Sequence, residues 1–257
     1  MVPVKPKKSL GQHFLNDQDI AAKIVSSLKA NNVEFVIEVG PGLGALTPLL
    51  LREKRFDMRF VEIDTEAADY LKAQYPEIKD KLIIADFLHY PLEEYFGNIP
   101  LAIIGNFPYN ISSQIFFKIL DHRSQVKEVV GMLQKEVAER IAAPPGSKVY
   151  GITSVLLQAY YDIEYLFTVQ EHVFIPVPKV KSGVIRLTRN NVEALPCNEA
   201  MFFRVVKTAF NQRRKMLSNS LKSILAEEHK KNPILSKRPE QLGVSEFIEL
   251  THLVKKC

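Results

Sequence analysis

The sequence predicts an α/β fold in which a large domain of strands and helices is followed by a small helical one. Three observations carry this prediction. Short apolar runs at 35–39, 58–64, 82–87 and 101–104 each close on polar or glycine residues, as strands buried on both faces do. The first of these runs leads straight into Gly40-Pro41-Gly42-Leu43-Gly44-Ala45 and then a helical stretch, the punctuation of a strand-turn-helix unit. Past residue 190 the strand pattern gives way to Met201, Val205, Ala209 and Leu217, apolar positions at helical spacing. A chain of 257 residues can bury a substantial core in one large domain and a smaller partner.

Residues 1–10 are basic and proline-containing and read as an arm that stays mobile until a partner orders it. Gly11-Gln12-His13-Phe14-Leu15-Asn16 follows, then a helix over 17–28 with Ile20, Ile24 and Leu28 on one face. The second strand ends in Glu62 and Asp64, and Asp64 suits the cap of a helix beginning at Thr65. The third closes on Asp86 and Phe87, and the fourth opens onto Gly105-Asn106-Phe107-Pro108-Tyr109-Asn110. A helix over 111–120, a fifth strand over 129–133 and a charged helix over 134–140 come next, before the loop Ala143-Pro144-Pro145-Gly146. Residues 150–161 read as helix, and 164–169 and 183–188 as the last two strands. Between those strands the prolines of Phe174-Ile175-Pro176-Val177-Pro178-Lys179-Val180-Lys181-Ser182 impose a stiff, extended wall suited to presenting one ring and two lysines, with a plain core position for Phe174 the favoured alternative on these residues alone. Pro196 marks a boundary, and short helices are expected around 239–242 and over 245–254.

Lys and Arg outnumber Asp and Glu by 34 to 29, and residues 190–257 carry twelve of the former against seven of the latter, the whole surplus. An anionic partner would therefore meet the C-terminal part, helped by Lys5, Lys7 and Lys8; a plain solvated basic face is the alternative. Cys197 and Cys257 are far apart and lack Cys/His ligand spacing, so neither a disulfide framework nor a metal site is predicted, in keeping with a reducing compartment. No apolar run approaches a membrane span and the first residues lack a signal-peptide core, so a cytoplasmic protein without membrane contact is expected.

The stretch after residue 104 carries the chemistry. Pro108 fixes its own φ and pushes Phe107 out of helical geometry, so the carbonyls after Asn106 hold one direction. The Asn106 oxygen and a neighbouring carbonyl then offer acceptors for both hydrogens of one amino group, and Tyr109 offers a ring for a planar base. An ordinary strand followed by an Asn-Pro turn is the bland alternative. Glycines at the Gly40 turn allow a ligand close to the backbone, and Gly40, Gly42 and Ala45 also satisfy the looser dinucleotide fingerprint, which keeps a nicotinamide enzyme in view. About twenty residues on, Glu62 stands where an acid grips ribose hydroxyls in either cofactor. Asp86 repeats the pattern at the third strand end, placed to accept from an adenine amine beside Phe87.

Together, Gly11-Gln12-His13-Phe14-Leu15, the acidic-X-Gly-X-Gly-X-Gly loop at Glu38, Asn106-Phe107-Pro108-Tyr109, Phe174 with its prolines and the run 209–217 closely resemble the small-subunit ribosomal RNA adenine dimethyltransferases, the family linked to kasugamycin sensitivity. The resemblance spans residues 7 to about 225 in order. It implies a Rossmann-like class I S-adenosylmethionine methyltransferase sheet of seven strands, the last antiparallel, over residues 1–189, with a small helical RNA-binding domain over 190–257. It further implies that Gln12, His13, Leu15, Gly40, Gly42, Glu62, Asp86, Phe87 and Asn106 meet the cofactor. Asn106, Pro108 and Tyr109 would form the amine site, with Phe174 stacking on the target base. Lys7, Lys8, Lys179, Lys181, Arg213, Arg214 and Lys215 would meet RNA. Phe107 stands where the family more often has Leu, a change confined to local packing.

The implied reaction transfers two methyls to the 6-amino group of each of two adjacent adenosines in a hairpin loop near the 3′ end of 16S RNA, on a partly assembled small subunit, by a monomeric enzyme. The sister family that methylates large-subunit RNA and confers macrolide resistance shares the catalytic loop. Lys7-Lys8-Ser9-Leu10-Gly11-Gln12-His13-Phe14-Leu15 and Gln212-Arg213-Arg214-Lys215 resemble the small-subunit enzymes instead. A nicotinamide oxidoreductase leaves Asn106 to Tyr109 unexplained. A non-catalytic assembly or transcription factor leaves the intact Gly40, Glu62, Asp86 and Asn106 without a purpose.

Overall fold

The structure, a computed structural model, describes residues 4–255. In chain order its elements are β1 (Phe14–Leu15), α1 (Gln18–Ser26), β2 (Phe35–Val39), α2 (Thr47–Leu50), β3 (Asp57–Glu62), α3 (Thr65–Gln74), β4 (Leu82–Ile84), α4 (Leu92–Phe96), β5 (Leu101–Asn106) and α5 (Ser112–Asp121). They continue with β6 (Val126–Gln134), α6 (Lys135–Ala142), α7 (Ile152–Gln158), β7 (Tyr161–Val169), β8 (Phe174–Ile175), β9 (Ser182–Arg189), α8 (Glu199–Asn211), α9 (Leu217–Ser220) and α10 (Val244–His252). The chain divides into two compact units.

The first unit, Met1–Ala138 with Asp162–Arg189, holds a seven-stranded sheet in the order β4-β3-β2-β5-β6-β9-β7. β2 pairs in parallel with β3 and β5, β3 with β4 and β5 with β6, whereas β9 runs antiparallel to β6. The apolar runs become central strands because both faces are covered: Val36, Ile37 and all of Leu101, Ala102, Ile103 and Ile104 have no exposed surface. Asp17 starts α1 by accepting from Ile20 N at 2.9 Å, which turns fully buried Ala21 and Ile24 onto the sheet. Each such large aliphatic side chain contributes about 1.5–3 kcal/mol. Strand order reverses between β2 and β5, so the carboxyl ends of these two strands flank the crevice where open α/β sheets bind ligands.

The second unit joins Glu139–Tyr161 to Asn190–Cys257. Asn198 caps α8 by accepting from Met201 N at 2.8 Å, and Phe202, Val205, Val206 and Ala209 form its buried stripe. Phe210 stacks on Phe247 of α10 with ring centroids 5.9 Å apart.

Several details differ from the expectations. The boundary after residue 189 recurs, but 139–161, assigned above to the first domain, packs with the C-terminal helices, because α7 and α10 both lie against α8. Residues 4–10 are not a mobile arm: Val4 is buried, Lys7 is ion-paired and 8–10 form a 3-10 turn; Met1 to Pro3 and Cys257 lie outside the described residues. The third strand stops at Ile84, leaving Asp86 and Phe87 in the following turn. The helix expected over 150–161 ends at Gln158, and β7 begins at Tyr161. The amphipathic region 201–217 breaks after Asn211, which places 213–215 in a turn.

Candidate active site

The glycine turn after β2 crosses the end of the sheet with Gly40 at φ +66° and Gly42 at φ +57°, a region that favours glycine. At Gly42 a Cβ would also stand 3.0 Å from the Phe14 ring. Its amide donates to Glu62 Oε2 at 2.9 Å, while Glu62 Oε1 accepts from Asp64 N at 2.9 Å. Glu62 is 3% exposed, and burial pushes its carboxyl up against the opposing pull of these backbone donors. Ile63, beside it, is half exposed in the cavity wall. Glu38, which the sequence reading used only as the acid of the loop pattern, is buried at the end of β2 and accepts from Thr47 Oγ1 at 2.7 Å. Desolvation, with a smaller push from Glu62, raises its pKa to about 8.

Gln12 spends its amide on the chain itself, accepting from Lys7 N at 2.7 Å and donating to Asp64 Oδ2 at 2.9 Å. Asp64 caps α3 as expected, accepting from Glu66 N at 3.1 Å. Burial works against the Asp64 charge, but Lys7 and Gln12 outweigh it and hold the carboxyl below its usual value. Lys7, expected to meet RNA, here meets Asp64 at 2.6 Å and Glu66 at 3.1 Å, and the ammonium ties the N-terminal segment to α3.

Asn106 ends β5 with its side chain oriented by a distant backbone group. Nδ2 donates to the His13 carbonyl at 2.8 Å, and Oδ1 has no donor among the described residues. The Pro108 carbonyl accepts from Ile111 N at 3.2 Å and keeps a second lone pair. The Tyr109 hydroxyl shares a 2.6 Å hydrogen bond with Ser182 Oγ on β9, and burial raises its pKa. His13 stacks on the Tyr109 ring with centroids 5.2 Å apart and donates from Nδ1 to the Pro176 carbonyl at 2.8 Å. Asp86 uses Oδ1 to accept from Leu88 N at 2.9 Å and meets exposed His89 through Oδ2 at 2.8 Å. Phe87 is buried, 4% exposed, and belongs to the cavity wall.

These groups surround one cavity of about 210 Å³, whose wall includes Gln12, Leu15, Gly40, Glu62, Asp86 and Tyr109. Phe174 is not in that wall. Its backbone pairs with Leu15 in the short β1–β8 ribbon, which turns the ring into the core with no exposed surface, so it offers no face for a base. The exposed residues of its segment are Ile175, Pro176, Val177, Lys179, Val180 and Lys181. Lys8 is exposed, as are Arg214 and Lys215, but Arg213 donates to the Ser147 and Lys148 carbonyls and holds that loop. Sequence reasoning missed Ser182, which is fully buried and 73 residues from Tyr109; no local signal marks it.

A glycine turn with an acid at the next strand end, an Asn-Phe-Pro-Tyr loop across the switch point and a seven-stranded sheet with one antiparallel strand define a class I S-adenosylmethionine-dependent methyltransferase. The donor set suits that cofactor: carboxylates for ribose and adenine, and glycine backbone for close approach. A family model described as ribosomal RNA adenine dimethylase matches residues 4–244, and the chain belongs to that family of S-adenosylmethionine-dependent rRNA adenine dimethyltransferases. The chain is 57% identical over 99% of both chains to "Ribosomal RNA small subunit methyltransferase A" of Cytophaga hutchinsonii, and 56% identical, over 99% of this chain and 98% of the relative, to the protein so named in Flavobacterium johnsoniae. Among solved structures, a dimethyladenosine transferase from Plasmodium falciparum superposes with TM-score 0.77 at 24% identity, covering 93% of this chain and 96% of that one. The 23S rRNA methyltransferase ErmE superposes with TM-score 0.69 at 25% identity, covering 93% and 99%. Among the described residues, no helix is long and apolar enough to cross a membrane.

Proposed function

We propose that this chain dimethylates the 6-amino groups of two adjacent adenosines in a hairpin loop near the 3′ end of 16S ribosomal RNA, acting as a monomer on a partly assembled small subunit. The observation that carries the reading is the orientation of Asn106: with Nδ2 occupied by the His13 carbonyl, Oδ1 is the atom left to accept from an amine. The lone pair of an adenine amine is spread into the ring, which makes it a poor nucleophile. Acceptors at Asn106 Oδ1 and the second lone pair of the Pro108 carbonyl draw the amine toward tetrahedral geometry and gather that lone pair on nitrogen. Bound S-adenosylmethionine supplies an electrophilic methyl on a sulfonium, held through Glu62 at the ribose and Asp86 at the adenine. Each transfer would release S-adenosylhomocysteine as the neutral thioether, and the methylated amine, then cationic, would lose its proton to water, so no strong base is needed and positioning supplies most of the rate.

The target base leaves its stack at a cost of a few kcal/mol, offset by stacking on Tyr109. His13 covers one face of that ring, so the base takes the other face or displaces the imidazole. Lys8, Lys179, Lys181, Arg214 and Lys215, all exposed, are the groups assigned to RNA phosphates. The relatives' name and the opening run 7–15 favour small-subunit RNA over the large-subunit target named for ErmE. Incubation with labelled S-adenosylmethionine and separate unmethylated small and large subunits tests this. Four methyls per small subunit are expected on two neighbouring adenosines; label in large subunits would replace the reading with the sister activity.

A further inference from the structure

We propose that Lys118 is a positioning residue for the cofactor, an internal clamp that sets the loop carrying Asp86 and Phe87. Lys118 lies in the last turn of α5 and is not part of the cavity wall. Its ammonium donates to the Tyr90 carbonyl at 2.6 Å and to the Leu88 carbonyl at 3.2 Å, and stands 5.5 Å from the centre of the Phe87 ring. Three features of the 86–90 loop, at residues 87, 88 and 90, are thereby tied to one charge on a neighbouring helix. The loop gains from such a tie: β4 stops at Ile84, and the hydrogen bonds inside the loop are short-range turn contacts, Asp86 Oδ1 with Leu88 N at 2.9 Å, Asp86 Oδ2 with His89 Nδ1 at 2.8 Å, His89 N with the Asp86 carbonyl at 3.1 Å and Tyr90 N with the Phe87 carbonyl at 3.3 Å.

The half-buried placement has a cost, since desolvation lowers the Lys118 pKa against the favourable fields of Asp86 and Asp121. Its hydrogen-bond partners are backbone carbonyls, so the charge organises chain rather than neutralising a carboxylate. Asp86, Phe87 and Leu88 all reach the cavity wall, so a shift of this loop displaces the adenine end of the site directly. α5 also begins just after the Asn106 loop, so one rigid helix supports the amine site at its start and the adenine site at its end. The inference rests on the reading that Asp86 and Phe87 hold the adenosine part of the cofactor.

Titration calorimetry with S-adenosylhomocysteine on wild type, Lys118→Met, Lys118→Gln, Lys118→Arg and Asp86→Ala, together with single-turnover methyl transfer at saturating cofactor, separates the outcomes. Lys118→Met and Lys118→Gln are expected to weaken cofactor binding about tenfold, the loss of a charge-assisted hydrogen bond. Their single-turnover rates at saturation stay within about twofold of wild type, and Lys118→Arg recovers most of the affinity. A purely structural role would instead lower melting and rate together and leave the affinity of the folded fraction unchanged, which overturns the proposal. Unchanged affinity in the Lys118 variants beside a weakened Asp86→Ala also overturns it. Unchanged affinity in Asp86→Ala as well removes the adenine assignment on which it rests.

Discussion

Asn106 and Glu38 show how single polar groups near the cavity are fixed by neighbours rather than by exposure. Asn106 is oriented by the His13 carbonyl at 2.8 Å, so the segment 11–15 sets the amide proposed to accept from the substrate amine as well as part of the cavity wall. Glu38 is held near pKa 8 by burial, and the consequence for stability has a definite sign. A carboxyl whose folded pKa exceeds its unfolded value of about 4.5 binds more protons in the folded chain. The stability it contributes is therefore complete below that unfolded value and is lost as pH rises through about 8. Melting of wild type is expected to decline between pH 5 and 8 more steeply than melting of Glu38→Gln, which keeps an acceptor for Thr47 but cannot ionise; parallel curves would show that Glu38 is already charged at neutral pH.

At the scale of elements, β5 and β6 are fitted to one unusual side chain. Phe107, fully buried, rests against two glycines: a Cβ at Gly131 would stand 2.5 Å from its ring and one at Gly105 3.0 Å. Gly131→Ala is expected to cost about 1–3 kcal/mol by overpacking, and Phe107→Leu in the same chain to recover part of it. Additive losses in a denaturant-unfolding cycle would show that the two positions do not share that space. The elements themselves were legible where the signal is local, as in the runs 35–39 and 101–104, the cap Asp64, and the stretch 105–110. What was not legible depends on partners far along the chain. The resemblance implies a stacking ring at Phe174, whereas its pairing with Leu15 buries that ring, and Lys7 reads as a basic residue of the arm with no sign of its contact with Asp64. Glu128 falls just outside the expected fifth strand because its burial makes sense only through the Lys29 and Ala30 amides it accepts from, at 2.9 and 2.7 Å.

For the whole molecule, the chain's charge surplus lies in 190–257, and the described structure divides the expected basic run there by task. Arg213 is engaged with the Ser147 and Lys148 carbonyls, whereas Arg214 and Lys215 are exposed. Neutralising Arg214 and Lys215 together is expected to weaken RNA binding and reduce its salt dependence by up to about one unit of slope per lost phosphate contact, leaving melting unchanged. Arg213→Ala should lower melting instead; a salt slope that responds only to Arg213 would reverse the assignment. The division of the chain into units was visible at residue 190 but not at 139–161, whose place follows from helix packing that no local pattern announces.

The assignment of the Asn106 loop as the amine site is tested most directly by single-turnover methyl transfer to unmethylated small subunits by Asn106→Ala, with cofactor and subunit affinities measured separately. A buried hydrogen bond to the reacting group is worth about 2.7–4 kcal/mol, so the rate is predicted to fall by about two to three orders of magnitude while subunit affinity stays within a few-fold. A single-turnover rate near that of wild type would contradict the claim that Asn106 accepts from the amine that receives the methyl.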